Sequence, residues 1–293
     1  MQPRIFHLHA LSALHCGVGQ AADVVDLPIA RARATRLPIV PGSSLRGVLR
    51  AQMEDDPQRE QDVPTLFGPR EITGPAGAFA GALAVGDAHL LLLPVRSLSG
   101  IVCYATSSFI LRRYRQDLIR AGYQPPELPK SPQSGHANVA AESVNRQDGL
   151  VILEDIDLRA QEDTALSKWA ALIGGAVHPS DADAKQDLIA RFALLPDDIM
   201  GYLAETATEI RTRIAINPKT GTVRQGALWY EENLPAESVL WGLHALSASN
   251  QSGDNRDAIA LAACLPRDDL LQLGGKAGVG RGLVRLLASG VTA

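Results

Sequence analysis

The chain has 293 residues, 46% of them hydrophobic and 20% charged, which is enough apolar material to bury a sizeable core in one large or two small domains. Aromatic residues make up only 4%, so any nucleic-acid surface must use backbone amides, Arg and Lys, and cannot rest mainly on base stacking. The formal net charge of −4 argues against nucleic-acid binding unless the charges are segregated along the chain.

The N-terminal segment 4–14 alternates loosely between apolar and polar residues and is predicted to be a strand. It is not an export signal, because the stretch that ends at Cys16 carries His7, His9 and His15. The three cysteines are too widely spaced for a disulfide framework or a zinc site, which indicates a reducing cytosol. No apolar run approaches the roughly eighteen residues of a membrane span. We therefore expect a cytoplasmic protein with no membrane partner.

A short apolar run at 24–29 contains one acid, Asp26. An acid in such a run is either a turn or capping residue or a functional carboxylate, and the residues alone favour the structural role. His15, just before a loop with two glycines at 17–19, is similarly ambiguous, because a lone histidine is more often structural.

The segment 41–47 predicts the start of a helix, with Ser43 or Ser44 as N-cap. Free amides, two hydroxyls and Arg46 would together form an anion site. Ordinary capping accounts for the serines, but a cation in the first turn opposes the helix dipole unless an anion is bound. Arg50, one turn later, is assigned to the same surface.

In the middle of the chain, residues 54–76 are predicted to be a loop and 82–95 a pair of strands. A third strand is predicted at 101–104 and a helix at about 106–121. Residues 123–148 lose this periodicity, and 123–190 is interpreted as a lid-like insertion with a strand at 150–154 and a helix at about 165–176.

In the remainder, a helix is predicted from about 196 and a hairpin with its turn at 217–221. Two strands follow at 226–232 and 238–246, then a helix at 255–264 and a last strand at 283–288. Strands separated by helices indicate an α+β fold with a ferredoxin-like or RNA-recognition-motif core, in one domain over 1–293. In strand 226–232, alternation places Tyr230 and Glu232 on one face and Trp229 and Glu231 on the other.

The most prominent local motif is the glycine-rich loop Gly274–Gly282, which contains Lys276 and Arg281. Its glycines permit a close backbone approach, so that successive amides can bind phosphates. It is not a P-loop, because Ala277 follows the lysine, and too little chain remains for a dinucleotide-binding βαβ unit. A flexible surface turn and a phosphate-backbone loop both remain open.

Positive charge is concentrated in three segments of the chain. Residues 1–50 carry +4, residues 211–224 carry +4 and residues 271–293 carry +3, which leaves −15 for the rest. Such segregation gives local positive fields on an acidic protein. Chance, together with solvent-exposed faces, is enough to explain one such cluster. Three clusters, each beside glycines or a turn, are explained about equally well by chance and by RNA binding.

Taken together, several motifs resemble the RAMP superfamily of CRISPR proteins, and more closely the backbone subunit of the type III-B Cmr effector complex. They are the histidine-glycine loop at 15–19, the Val-Asp-Leu-Pro-Ile run with Asp26, the segment 39–47, residues 85–88 and 93–97, the stretch 226–232, and the C-terminal glycine loop. The resemblance spans nearly the whole chain and is weakest at 54–76 and 123–190.

The resemblance implies an RNA-recognition-like core with a lid at 123–190 and a thumb hairpin at about 205–226, stacked in copies along a guide RNA beside other Cmr subunits. It implies Asp26 as the slicing carboxylate and metal ligand, with His15, Glu231 or Glu232 as helpers. The RNA-binding residues that follow from the motifs and basic segments are Ser43, Ser44, Arg46, Arg50, Arg211, Arg213, Arg224, Gly275, Lys276, Gly278, Gly280 and Arg281.

The implied chemistry is cutting of single-stranded target RNA by attack of a 2′-hydroxyl on the adjacent phosphate, with a divalent ion, Mg²⁺ or Mn²⁺, as cofactor. Aspartate carboxyls ordinarily have a pKa of about 3.9, so a metal-linked role for Asp26 is preferred to that of a free general base. Two alternatives stay open: a non-catalytic guide-RNA scaffold, in which Asp26 is only a turn residue, and a small-molecule enzyme that binds a nucleotide at the glycine loop.

Overall fold

The computed structural model describes residues 1–19, 25–72 and 77–288. Within these ranges the fold is a mixed α+β arrangement of fifteen strands and seven α-helices. The strands are β1 Pro3–Ala10, β2 Ile39–Val40, β3 Leu83–Val85, β4 Ala88–Ser97, β5 Ile101–Ser107, β6 His136–Val139, β7 Arg146–Gln147, β8 Leu150–Leu153, β9 Ile156–Glu162, β10 Phe192–Leu195, β11 Glu209–Ile216, β12 Val223–Asn233, β13 Val239–Leu246, β14 Asp268–Gln272 and β15 Leu283–Ala288. The helices are α1 Gly42–Glu54, α2 Val63–Phe67, α3 Ser108–Arg120, α4 Thr164–Val177, α5 Ala182–Ala190, α6 Asp197–Thr206 and α7 Ala258–Ala262.

The N-terminal strand β1 lies in the middle of an antiparallel sheet. It pairs on one side with β13 and on the other with β15, and β4 continues the sheet beyond β13. Strand β14 covers the far edge of β15, so the order across this part is β14-β15-β1-β13-β4. The sheet therefore unites strands from both ends of the chain, which brings residues 11–16 next to the C-terminal glycine loop.

A second part of the same sheet closes on itself. Strands β4, β5, β10, β6, β9 and β8 pair in that order, and Ser97 of β4 pairs with Leu153 of β8 to complete the ring. Most of the segment 123–190 lies in or against this ring, including α4, whose Leu166, Trp169 and Ile173 are buried. The insertion therefore shares a continuous core with the rest of the chain.

The hairpin of β11 and β12 forms a separate two-stranded sheet. Cross-strand pairing puts Ile214 beside Leu228 and Thr212 beside Tyr230 on one face. The isoleucines, leucine and tyrosine of this face are exposed to solvent, Leu228 by 53%. The opposite face carries Arg213 beside Trp229. The hairpin therefore has one apolar face that is exposed to solvent, whereas the side chains of Arg213 and Trp229 on the other face are partly buried.

Helix faces follow the sequence pattern. In α1, Leu45, Leu49 and Met53 are buried at helical spacing, and α3 buries its predicted apolar face, including Tyr114 and Leu118. Burial of such a stripe is what holds short helices on a domain. The predicted helix that ends near Ala121 and the predicted hairpin around 217–221 are both present.

Two sequence-based expectations about local structure were incomplete. The segment 54–76, predicted as a loop, contains a 3-10 helix at Glu60–Asp62 followed by α2. The insertion 123–190 holds four strands and two helices where one of each was expected. Strand β9 does alternate apolar and polar residues, with Leu158 buried and Ile156 and Ala160 packed against the core, so this signal was present in the sequence and was overlooked. None of the helices in the described ranges is long and apolar enough to cross a membrane.

Two histidines in the sheet make stability depend on pH. Burial lowers the pKa of His7 and of His244 to about 4. The unfolded chain takes up these protons near pH 6.5, so stability is complete above that pH and is lost as the pH falls toward 4. We expect the free energy of unfolding, measured by urea titration, to fall by about 2 kcal/mol per ring between pH 7 and pH 5.

The substitution His244→Gln should reduce the pH dependence by the share of one ring, about 2 kcal/mol between pH 7 and pH 5, whereas His136→Gln, at a partly exposed histidine, is the matched control. Equal pH dependence in wild type and His244→Gln would contradict the assignment.

Candidate functional site

Asp26 lies in residues 25–31, which we call the Asp26 segment and which run alongside β12. Its Oδ2 accepts a hydrogen bond of 2.8 Å from the Tyr230 amide. The next residue, Leu27, donates to the Tyr230 carbonyl at 3.1 Å and accepts from the Glu232 amide at 3.0 Å. The carboxylate is therefore held by backbone groups of β12, at the base of the hairpin. Val24, the first residue of the predicted apolar run, lies outside the described residues.

Glu232 is buried and its carboxylate has a full set of partners. Oε1 accepts from Arg31 at 2.5 Å and from the Thr208 hydroxyl at 3.0 Å, and Oε2 accepts from the Ile29 amide at 3.0 Å. These partners attach the Asp26 segment to β12. This geometry gives Glu232 a structural task and leaves it no free oxygen facing a substrate.

His15 joins the N-terminal loop to the same strand. Its Nδ1 donates to the Glu232 carbonyl at 2.6 Å, and the side chain is buried. A Cβ at position 17 would lie 2.6 Å from Nε2, so the glycine in this loop is what makes room for the ring. The His15 carbonyl accepts from the Gly275 amide at 2.9 Å. His15 therefore connects the glycine loop with β12.

Glu231, the neighbour of Glu232, points to the other face of β12. Its Oε1 accepts from Lys276 Nζ and from Trp229 Nε1, each at 2.8 Å, and Oε2 lies 3.7 Å from Arg213. Burial opposes ionisation, but the hydrogen bonds from Lys276 and Trp229 outweigh it and hold the pKa of the Glu231 carboxyl below its usual range. The predicted alternation of faces along 229–232 is consistent with this arrangement.

A second carboxylate, that of Glu209 at the start of β11, contacts two more of the arginines that are predicted to bind RNA. It hydrogen-bonds Arg211 at 2.7 Å and lies 3.6 Å from Arg281. The basic segments 211–224 and 271–285, far apart in the sequence, therefore meet around Glu209 and Glu231. We call the set Arg211, Arg213, Lys276 and Arg281 the basic cluster.

The glycine loop is pinned to the N-terminal segment. The Gly282 amide donates to the Ala13 carbonyl at 3.0 Å, and a Cβ at Gly274 would lie 2.4 Å from the His15 oxygen. Lys276 adopts φ +70° before a 3-10 turn at Ala277–Val279. Gly275 and Gly280 also use their amides for bonds within the protein. Gly278 stands in the 3-10 turn, where a Cβ would meet no atom within 4 Å.

The start of α1 differs from the expectation. The helix begins at Gly42 with Pro41 as N-cap, and neither Ser43 nor Ser44 makes the predicted capping bond. Both serines are exposed. The Gly42 amide instead donates to Asp87 at 2.8 Å, so the motifs at 41–47 and 85–88 are neighbours in space.

The two arginines of α1 are held by the protein. Arg46 donates to the Phe67 carbonyl at 2.8 Å and lies over the Phe67 ring at 5.3 Å, which explains a first-turn cation without a bound anion. Arg50 pairs with Glu54 at 2.9 Å. Arg224, on the hairpin, is exposed and has no ion-pair partner among the described residues. The RNA-binding role of each of these residues stays a prediction.

Sequence reasoning missed Arg31, Thr208, Glu209 and the Tyr230 amide. Arg31 was counted only in the net charge of +4 for residues 1–50, and its side chain is 8% exposed. Glu209 was missed because an acid before a basic strand gives no motif. Periodicity carries no information about which distant carboxylate an arginine will meet, so only the fold assembles these contacts.

Among the described residues, no group of three or more His, Cys, Asp or Glu is placed to hold a metal ion. In the same ranges the second oxygen of Asp26 makes no hydrogen bond or ion pair. A single carboxylate with one free oxygen suits an ion such as Mg²⁺, which keeps several waters and takes substrate phosphates as ligands.

The sequence profile of the RAMP superfamily matches residues 7–285. The chain belongs to the RAMP superfamily. It is 34% identical over 297 residues to the CRISPR system Cmr endoribonuclease Cmr4 of Pyrococcus furiosus, with 100% of this chain and 97% of the relative covered. It is also 24% identical to the CRISPR system CMR subunit Cmr4 of Saccharolobus solfataricus, with 96% of this chain and 94% of that protein covered.

Solved structures of Cmr4 and of a Cmr complex contain chains with this fold. A crystal structure of oligomeric Cmr4 from Pyrococcus furiosus superposes with a TM-score of 0.76 at 27% identity, over 100% of both chains. A chain in the cryo-EM structure of the type III-B Cmr-beta complex bound to cognate target RNA has a TM-score of 0.71 at 19% identity, over 98% of this chain and 96% of that one. The second likeness establishes the fold alone.

Proposed function

We propose that this chain is the repeating backbone subunit of a type III-B CRISPR effector complex, which binds guide RNA and cuts complementary target RNA at Asp26. The observation that carries the proposal is the full-length similarity to a relative named a Cmr endoribonuclease. The proposed partners are guide RNA, single-stranded target RNA, further copies of the chain in a helical stack and the other Cmr subunits. The cytoplasmic location remains a prediction.

The basic cluster supports the RNA-binding part of the proposal. Its four cations come from two distant segments and meet at the base of the hairpin, one residue along β12 from the amide that holds Asp26. When base pairing with a guide RNA selects the target, the protein needs to contact only the RNA backbone, since the base pairs supply the sequence specificity. Arg and Lys beside a glycine loop are suited to that task.

Glu209 and Glu231 act in the proposal as internal counter-anions, which RNA phosphates replace. Replacing Glu231 with Gln should free Lys276 and Arg213 and raise the affinity of the purified chain for non-specific single-stranded RNA. The slope of log affinity against log salt should steepen by about 0.7 for each additional phosphate that the protein neutralises. Filter binding at several salt concentrations measures both quantities.

The matched control is Glu162→Gln, which removes an exposed carboxylate from a pair with Arg146 far from the basic cluster. It should leave the salt slope unchanged. Weaker RNA binding by Glu231→Gln would contradict the counter-anion role.

The proposed reaction is a transfer within the RNA. The 2′-hydroxyl oxygen bonds to the adjacent phosphorus and gives up its proton to water, and the bond from phosphorus to the 5′-oxygen of the next nucleotide breaks as that oxygen takes up a proton from water. The products are a 2′,3′-cyclic phosphate and a 5′-hydroxyl, so no other nucleophile is consumed. Asp26 is held at one oxygen by the Tyr230 amide, which leaves the other oxygen to orient the 2′-hydroxyl or bind an ion at the scissile phosphate.

A divalent ion, Mg²⁺ or Mn²⁺, is part of the proposal, with Asp26 as its ligand from this chain and RNA phosphate and water as the others. When bound, such an ion would neutralise charge that develops on the phosphate. His15 and Glu232 have positioning roles in this scheme, through their bonds to β12 and to the Asp26 segment.

The domain assignments are also proposals. The order β15-β1-β13-β4, with α1 between β1 and β4 in the chain and α7 between β13 and β15, is that of a ferredoxin-like or RNA-recognition-motif core, and supports that assignment. The segment 123–190 would be the lid. The hairpin within 205–226 and the rest of β12 would be the thumb, whose exposed apolar face is suited to bases or to a neighbouring copy.

The alternative function is a guide-RNA scaffold that does not cut. The wild-type complex, reconstituted with guide RNA and Mg²⁺, distinguishes the two when it is given end-labelled complementary or non-complementary RNA. The proposal expects cutting of the complementary strand alone, with 2′,3′-cyclic phosphate ends. Stable binding of complementary RNA with no cutting in either Mg²⁺ or Mn²⁺ would establish the scaffold.

A further inference from the structure

Arg31 is a buried arginine five residues after Asp26. Its side chain is 8% exposed, and its guanidinium makes three hydrogen bonds. One nitrogen donates to Glu232 Oε1 at 2.5 Å, and another donates to the carbonyls of Arg36 at 2.8 Å and Ala204 at 2.9 Å. The second carbonyl belongs to the last turns of α6. Arg31 therefore fixes the Asp26 segment to both β12 and α6.

The Asp26 segment is attached to β12 at two places. The first is the pairing of Asp26 and Leu27 with Tyr230 and Glu232. The second is the Glu232 carboxylate, which accepts from the Ile29 amide and from Arg31. Without the second attachment the chain beyond Leu27 keeps its bonds to the N-terminal loop, where the Ala30 amide donates to the Cys16 carbonyl at 2.7 Å, but loses its bond to β12. The position of Asp26 relative to β12 then depends on the pairing of Asp26 and Leu27 alone.

A buried ion pair of this kind contributes little to stability, because desolvation of both charges offsets their attraction. Its geometry is a better guide to its role. The guanidinium and carboxylate make five hydrogen bonds, one to each other and four to the Ile29 amide, the Arg36 carbonyl, the Ala204 carbonyl in α6 and the Thr208 hydroxyl at the foot of the hairpin. The nearby pair Arg36–Glu205 is exposed and joins no third element.

We propose that Arg31, acting through Glu232, is a positioning residue that sets the placement of the Asp26 carboxylate relative to β12 and so to the scissile phosphate. The inference rests on the proposed function of Asp26 in cutting. It assigns Glu232 to the same positioning pair, in place of a direct catalytic role. Arg31 touches neither RNA nor the reacting atoms.

The test measures single-turnover cutting by the reconstituted complex, target affinity and the thermal unfolding midpoint for Arg31→Met and for Arg31→Met/Glu232→Gln. Arg31→Met should slow cutting by about 100-fold, the scale of a 1 Å misplacement, with target affinity unchanged. It should also lower the unfolding midpoint, because Glu232 is left as an unpaired buried charge.

The double variant removes that unpaired charge, so its midpoint should recover while cutting remains slow. Recovery of cutting together with the midpoint would reduce the pair to a structural role and overturn the inference. Arg31→Lys, which keeps the charge but not the forked donors, should cut at an intermediate rate. If Arg31→Met alone fails to fold, the double variant carries the test.

Two further variants complete the design. Glu205→Gln removes the exposed partner of Arg36 and should cut like wild type. Asp26→Asn separates the positioning role from the function on which it rests: normal cutting by this variant rejects the proposed function itself. If Asp26→Asn is inactive while Arg31→Met cuts at the wild-type rate, the function stands and only the positioning role of Arg31 is rejected.

Discussion

Replacing Asp26 with Asn is expected to lower the single-turnover rate of target RNA cutting by at least about 100-fold, with guide and target binding unchanged. The amide is nearly isosteric with the carboxylate, and its oxygen still accepts from the Tyr230 amide, so the segment keeps its place on β12. The variant loses the negative charge that would orient the 2′-hydroxyl or hold a metal ion. Cutting is measured with end-labelled target, and binding by gel shift with the same complex.

Asp155→Asn is the matched control, since Asp155 is an exposed aspartate in the turn between β8 and β9. It should cut and bind like wild type. A rate for Asp26→Asn within a factor of two or so of wild type would show that Asp26 is only a turn residue. Loss of target binding along with cutting would instead give Asp26 a structural role in RNA binding.

Replacing Gly282 with Val should be among the most damaging single changes in the chain. A Cβ there would lie 2.0 Å from the Leu273 carbonyl oxygen, and φ is +78°, a conformation that β-branched residues rarely adopt. We expect the free energy of unfolding to fall by about 3 kcal/mol or more, and the loop that carries Lys276 to leave its place beside His15. RNA affinity should fall with it.

Gly278→Ala is the control for stability, because a Cβ at that position meets no atom within 4 Å and φ is not positive. Its unfolding free energy should match that of wild type. Since Gly278 is also a predicted RNA-binding position, reduced RNA affinity with unchanged stability would place it at the RNA. If Gly282→Val is as stable as wild type, the loop is a mobile turn and is not pinned to the N-terminal segment.

The strongly patterned parts of the fold were predictable from sequence. Helix α3 was placed because four apolar residues recur at helical spacing between a capping serine and Gly122. The hairpin was placed because Asn217, Pro218 and Gly221 mark a turn between two alternating runs. Short strands such as β10 and β14 escaped, because four or five residues do not establish a period, and only their neighbours in the sheet stabilise them.

The candidate site was only partly predictable. The basic character of 211–224 and 271–293 was visible in the sequence, but the meeting of their cations around Glu209 and Glu231 depends on the order of distant strands. The helix start at 41–47 is the opposite case, in which the sequence offers a motif but the fold supplies another partner. The serines and Arg46 predicted an anion site, whereas in the structure Arg46 donates to the carbonyl of Phe67, twenty-one residues away. The choice of Asp26 rested on family resemblance, since an acid in an apolar run is more often structural.

The most direct test of the account is a structure of the assembled complex with guide RNA and a target whose 2′-hydroxyl is removed at the cutting position. The quantity to measure is the distance from each carboxylate of the chain to the scissile phosphorus. We expect the Asp26 carboxylate to be the nearest, with Arg31 and Glu232 still paired behind it and Lys276 turned from Glu231 toward RNA phosphate. A scissile phosphate that lies closer to Glu231 or another carboxylate, with Asp26 remote from the RNA, would contradict the central claim.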